Sequence, residues 1–188
     1  MDTSSIRESI ATLLIEAYRE PADPASTWFI ENAPDSGIFG IIAGITSEEA
    51  SWSSRPNEPG TTIPGHVEHL RWSLANANCA LNGKPYNGNW TESWNTLDAD
   101  QAEWEKLKME LKKEFDAQLE TIHQQTKLEA DYLTGIMSLI SHAAYHLGTI
   151  RQLIERAKSD KTNNPGLVTA ETKKASNHDS TSSAFTAN

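Results

Sequence analysis

His142 and His146 stand four residues apart in the stretch from Ser141 to Arg151. On a helix that spacing stacks two imidazoles on one face, close enough to share an ion. A second pair, His66 and His69, lies in another amphipathic segment far up the chain. The pair at 142 and 146, joined by one histidine of the other segment, would supply three neutral imidazoles at zinc–nitrogen distances of about 2.0 to 2.1 Å, with a position left open for water or substrate. Three imidazoles without a thiolate suit a divalent Zn, Ni or Fe. Any one of these histidines alone is explained as a hydrogen-bonded core residue, but several at inward positions on two helices favour a metal site. The residue after the first histidine is Ala143 where a His-Glu-x-x-His metalloprotease carries its glutamate, which excludes that chemistry. There is no nucleophile elbow, P-loop or dinucleotide fingerprint. Cys79 falls on the side of its helix away from the histidines, which disfavours a Cys/His nucleophile.

Four long amphipathic segments must position these side chains. The first is expected over Ser5 to Glu20, opened by a Ser5/Glu8 capping box and stopped by Pro21 and Pro24. A short apolar piece, Ile38 to Ile45, follows, then Thr46 as the N-cap of an acidic first turn. The second long helix starts after Thr61 or Thr62 and carries Ile63, His66, Leu70, Leu74 and Leu81 at helical spacing, with His69 at the edge of the stripe. The third starts at an Asp100 N-cap and buries Trp104, Leu107, Leu111, Phe115 and Ile122 in three- and four-residue steps, with His123 as a cation near its C-terminus. The fourth runs from about Ala130 or Leu133 to Ala157, with His146 within its inward stripe and His142 at the margin. Gly148 inside this helix, costing about 1 kcal/mol relative to Ala, implies that a neighbour needs the room.

Between the second and third helices, residues 82–98 are too long for an ordinary bundle connection. Trp90 and Trp94 sit there at i, i+4. Two readings stand: a lid packing two indoles on the core, or an aromatic pocket wall for a small ligand. From Lys158 to Asn188 the composition turns to Ser, Thr, Asn and Lys, and a disordered polar tail is expected.

The whole pattern is an all-α, four-helix-bundle domain over residues 1–157, large enough to bury a core without staples. A formal net charge of -10 over 188 residues disfavours nucleic-acid partners, since a polyanion is repelled. No apolar run approaches the roughly 20 residues of a membrane span. One cysteine and no charged-then-apolar leader point to the cytoplasm.

Ile63-Pro-Gly-His-Val-Glu-His-Leu-Arg71 and His142-Ala-Ala-Tyr-His-Leu-Gly-Thr-Ile-Arg-Gln152 resemble the second- and fourth-helix signatures of the DinB-like superfamily, in its branch of uncharacterised domains. Trp28-Phe29, Gly37, Glu49-Ala-Ser51 and the tryptophans at 90, 94 and 104 match in order, so that the resemblance covers about residues 5 to 157. It implies an up-down-down-up four-helix bundle, often a homodimer, holding a divalent metal on three histidines. His69, placed before a leucine, matches the family's ligand on the second helix, with His142 and His146 as the others. His66, nearer the centre of the stripe, is the alternative to His69. Characterised relatives include thiol-dependent transferases and an isomerase, in which a metal activates the sulfur of a small thiol. The resemblance therefore implies a small-molecule substrate, with a thiol as co-substrate. The sequence identifies no acid or base partner, so a non-catalytic metal or small-ligand binding bundle is the second expectation.

Overall fold

The computed structural model describes residues 2–163. The elements are α1 (Thr3–Tyr18), α2 (Ile38–Ala43), α3 (Ser47–Ser51), α4 (Ile63–Leu81), a 3₁₀ turn (Trp90–Trp94), α5 (Gln101–Gln124) and α6 (Ala130–Asn163). The described residues form an all-helical protein. No helix among them is long and apolar enough to cross a membrane.

The helix ends follow from local chemistry. Asp100 and Glu103 form the expected reciprocal capping box at the start of α5, and Thr46 with Glu49 forms another on α3. Thr62, with Pro64 in the first turn, caps α4 by accepting from the Gly65 N–H. At α1 the Ser5/Glu8 box does not form. Asp2 is the cap, its carboxylate accepting the Ser5 N–H at 2.8 Å, and α1 begins two residues early because the aspartate offers the better acceptor.

Four long helices enclose the core. α4 packs on α5 and α6, and α1 packs on the same two. At one level Tyr18, Phe39 and Phe115 meet with ring centroids 5.0 to 5.6 Å apart, flanked by the fully buried Leu14 and Leu111. Burying each such side chain contributes about 1.5–3 kcal/mol. Trp104, also buried, donates its indole N–H to the Ile45 carbonyl at 3.0 Å and so ties the α2–α3 connection to α5. Cross-helix contacts set the registers. Arg7 at the start of α1 donates to the Gln125 carbonyl beyond α5, while Arg19 after α1 pairs with Asp116. Asn78 of α4 donates to the Glu114 carbonyl of α5 at 3.0 Å.

The long segment between α1 and α4 is held by a buried carboxylate. Glu16, 1% exposed, accepts the Thr27 hydroxyl and the N–H groups of Trp28, Phe29 and Ile30, the last three at 2.9 to 3.1 Å. Burial pushes this carboxyl up, but the donors outweigh it and hold it below its ordinary value. Gly37 then passes so close to the Arg19 carbonyl that an added Cβ would lie 2.2 Å from its oxygen. That approach is open only to glycine.

Two sequence expectations fail on α6. The polar tail expected from Lys158 is still helical through Asn163, because Asp160 accepts the Trp52 indole N–H at 3.1 Å and Lys161 reaches Glu49 at 3.3 Å. The rest of that expectation, residues 164–188, lies outside the described residues. Gly148 faces open space, with nothing among the described residues within 4 Å of an added Cβ, so no neighbouring helix among them requires it. The burial expected nearby falls on Ala143 instead, which is fully enclosed.

Candidate metal centre

Adjacent faces of α4 and α6 bring all four histidines into one cluster. His66 meets His146 and His69 meets His142, with nitrogen pairs 2.8 and 3.0 Å apart. His66, His69 and His146 are buried, and His142 is half-buried. Burial pushes all four below their ordinary value, His69 to about 4, so each is a neutral imidazole at pH 7 with one N–H and one lone pair.

The hydrogen bonds around the cluster decide which nitrogen is which. Ser93 donates its single hydroxyl proton to the Trp90 carbonyl at 2.6 Å, so its oxygen must accept from His69 Nδ1–H, also at 2.6 Å. His69 therefore presents a bare Nε2. On the other side the Gly60 carbonyl, which can only accept, stands 3.1 Å from His66 Nε2 and fixes the proton there. His66 Nδ1 then accepts from His146 Nδ1–H, and His146 too presents a bare Nε2. Both bare nitrogens point at the same atom, His142 Nε2, at 3.0 and 2.9 Å. A proton on His142 Nε2 can serve only one of them. A cation serves all three.

The ligand-bearing atoms of His69, His142 and His146 lie within 4.8 Å of one another. Nitrogens about 2.1 Å from one ion stand roughly 3.0 Å apart at right angles and about 3.4 Å apart in a tetrahedron, so either geometry lies within a few tenths of an ångström of the two separations above. The donor set, three neutral imidazoles of which two have their other nitrogen hydrogen-bonded, is the arrangement that orients histidine ligands of divalent transition metals. Three histidines thus lie close enough to hold a metal ion. The fourth, His66, spends its Nδ1 on His146 and its Nε2 on a carbonyl. Both of its nitrogens are thus engaged within the protein, whereas His69 keeps a bare Nε2.

The aromatic pair divides. Trp94 stacks on His69 with centroids 4.0 Å apart and planes 16° apart, and meets His66 edge-on. It backs the cluster. Trp90, 53% exposed, packs on Trp72 at 4.8 Å and walls a cavity of about 870 Å³ into which His69 and His142 open. Trp90 thus borders the cavity, and Trp94 does not. Gly65 lets this loop approach, since an added Cβ would lie 2.9 Å from the Thr96 carbonyl.

Ser93 and Gly60 were not marked by the sequence. Ser93 is fully buried although it sits in a polar loop without periodicity, and Gly60 acts only through its backbone. A serine between two tryptophans gives no pattern to read, and a carbonyl leaves no trace in residue type. Cys79 is a free, half-buried thiol, and His123 is exposed in the last turn of α5. No family model, curated protein or solved structure matches this chain.

Proposed function

We propose that the protein is a divalent-metal-binding bundle of the DinB-like type and works as a metal-dependent enzyme joining a small thiol to an electrophile, as a transferase or isomerase. One observation carries the metal reading: the bare Nε2 atoms of His69 and His146 converge on His142 Nε2, each fixed in that tautomer by a hydrogen bond on its far nitrogen. The contact registers support the up-down-down-up path. Residues 66 and 146, and 69 and 142, pair in opposite senses along α4 and α6; α1 opposes α5 through Arg7 and Arg19, and α4 runs alongside α5 through Asn78.

His69, His142 and His146 would hold the ion, of Zn, Ni or Fe type. When bound, such an ion lowers the pKa of a coordinated thiol or water. The chain's own residues orient and exclude water: Ser93 and His66 fix the imidazoles, Trp94 covers the face of His69, and His142 borders the cavity through which a substrate arrives. The non-catalytic alternative is favoured by one observation, that the metal-competent group among the described residues contains no carboxylate to serve as acid or base.

Elemental analysis of untagged protein, beside His69→Ala and His66→Ala, tests the first step. One equivalent of metal is expected in the parent and none in His69→Ala, and His66→Ala retains metal at reduced affinity. Loss in His66→Ala with retention in His69→Ala would reverse the ligand set, and a metal-free parent after reconstitution would end the reading. A screen of small thiols against electrophiles then separates the two functions. Turnover abolished by His142→Ala identifies the enzyme, whereas bound metal without turnover leaves the binding bundle.

A further inference from the structure

The cavity beside the histidines is a groove between α4 and α6. Its wall runs along α6 from Asp131 to His142 and along α4 from His69 to Leu81, about 16 to 18 Å at 1.5 Å per residue. Its volume, about 870 Å³, lies in the upper part of the range that takes small molecules. Trp72 and Trp90 line the histidine end, and Ala77, Leu81, Ile136 and Leu139 line the length.

Three features define the occupant. First, among the described residues the wall contains no lysine or arginine, and Asp131 is its one carboxylate. Arg7, whose charge reaches Tyr132, is turned to the Gln125 carbonyl at 2.6 Å. An anionic ligand would thus lose its hydration without gaining a cationic partner from the wall. Second, two wall residues, Asn76 and Tyr132, end in polar atoms, Nδ2 and Oη, that are shielded from solvent and have no partner among the described residues, so a ligand oxygen meets them when these side chains turn into the groove. The Asn76 amide is oriented by its oxygen, which accepts the Asn87 N–H at 3.1 Å, so the free end is a donor. Burial raises the Tyr132 phenol above its ordinary value, so it too remains a donor. Third, the aromatic and aliphatic lining favours carbon skeletons over hydrated ones.

We propose that the α4–α6 groove binds an elongated, uncharged, largely apolar small molecule bearing carbonyl-type oxygen acceptors, with one end at the histidines. This deepens the proposed function by naming its electrophile's class, and rests on that reading only for what happens at the histidine end.

The test uses metal-free, EDTA-treated full-length protein and two probes of one skeleton, the neutral ketone 6-phenylhexan-2-one and the carboxylate 5-phenylpentanoate, followed by calorimetry and tryptophan fluorescence. The ketone is expected to bind at least about tenfold more tightly than the carboxylate. Ala80→Trp and Ser138→Trp, at two exposed wall positions, should each weaken the ketone by about tenfold or more, and Tyr132→Phe by about threefold to tenfold. Equal or tighter binding of the carboxylate, or ketone binding unmoved by both tryptophan variants, overturns the proposal. Metal content of the same protein before EDTA is measured separately. Selective ketone binding by a chain that never retains metal supports the groove and removes the metal centre; a loaded metal centre without ketone preference does the reverse.

Discussion

The helices build two unlike regions, one where α1 and α2 meet α5 and the other between α4 and α6. Around Phe115 the interior is closed ring against ring by Tyr18 and Phe39, with Leu14 and Leu111 buried at the same level; burial lifts the Tyr18 phenol far above its ordinary value, and the half-exposed Arg19 guanidinium covers the Phe115 ring 5.0 Å from its centroid. Around His142 the interior carries four imidazoles, a hydroxyl and two carbonyls, with an open groove alongside. Apolar contacts hold the first region without directional demands. In the second, His66 has a partner on both nitrogens, His69 and His146 each have one on the far nitrogen, and the bare Nε2 atoms leave one direction for an ion. One region offers apolar packing and the other a cluster of ligand-type nitrogens.

Breaking the packed region should cost most. Phe115→Ala is expected to lower stability by about 3–5 kcal/mol in chemical denaturation, while metal bound per folded molecule stays unchanged. A parallel loss of metal would erase the division. His66→Ala should act the other way, weakening metal about 10- to 100-fold in competition titrations with a smaller change in folding stability. His66→Gln, whose amide oxygen can still accept from His146 Nδ1–H, should recover part of it.

Glu16 lies outside both regions and reports on the α1–α4 connection. Glu16→Gln should cost about 1–3 kcal/mol at pH 7, because an amide accepts fewer of the donors gathered there. The native carboxyl lies below its ordinary value of 4.5, so its contribution is complete above that pH and is lost as pH falls through the native value. The variant's stability should therefore depend less on pH across that acid range. Smallest is Gly148→Ala. With open space at its Cβ it should raise stability by about 0.5–1 kcal/mol and leave metal content alone.

Much of the packed region was legible. The three- and four-residue steps of α5 place Trp104, Leu111, Phe115 and Ile122 inward, and the Asp100, Thr62 and Thr46 caps follow from side chains next to their own helix starts. The histidine cluster was half legible. Spacing put His142 and His146 on one face, but His66 and His69 share a stripe, and only the far-side partner of each ring tells which of them keeps a bare nitrogen. Those partners, Gly60 and Ser93, come from loops whose path periodicity does not encode. Gly148 misled because a helical glycine marks missing volume without saying whether anything fills it.

The serine at position 93 joins loop and centre thermodynamically. Its hydroxyl fixes His69 while belonging to the same short turn as both indoles. Affinity and order are then reciprocal: whatever free energy an ordered turn adds to ion binding, the bound ion returns to the turn. A chelator should loosen residues 90–94 in hydrogen exchange by the free energy that separates ion affinity in the ordered turn from that in the open one, and deleting the Ser93 hydroxyl should shrink that difference.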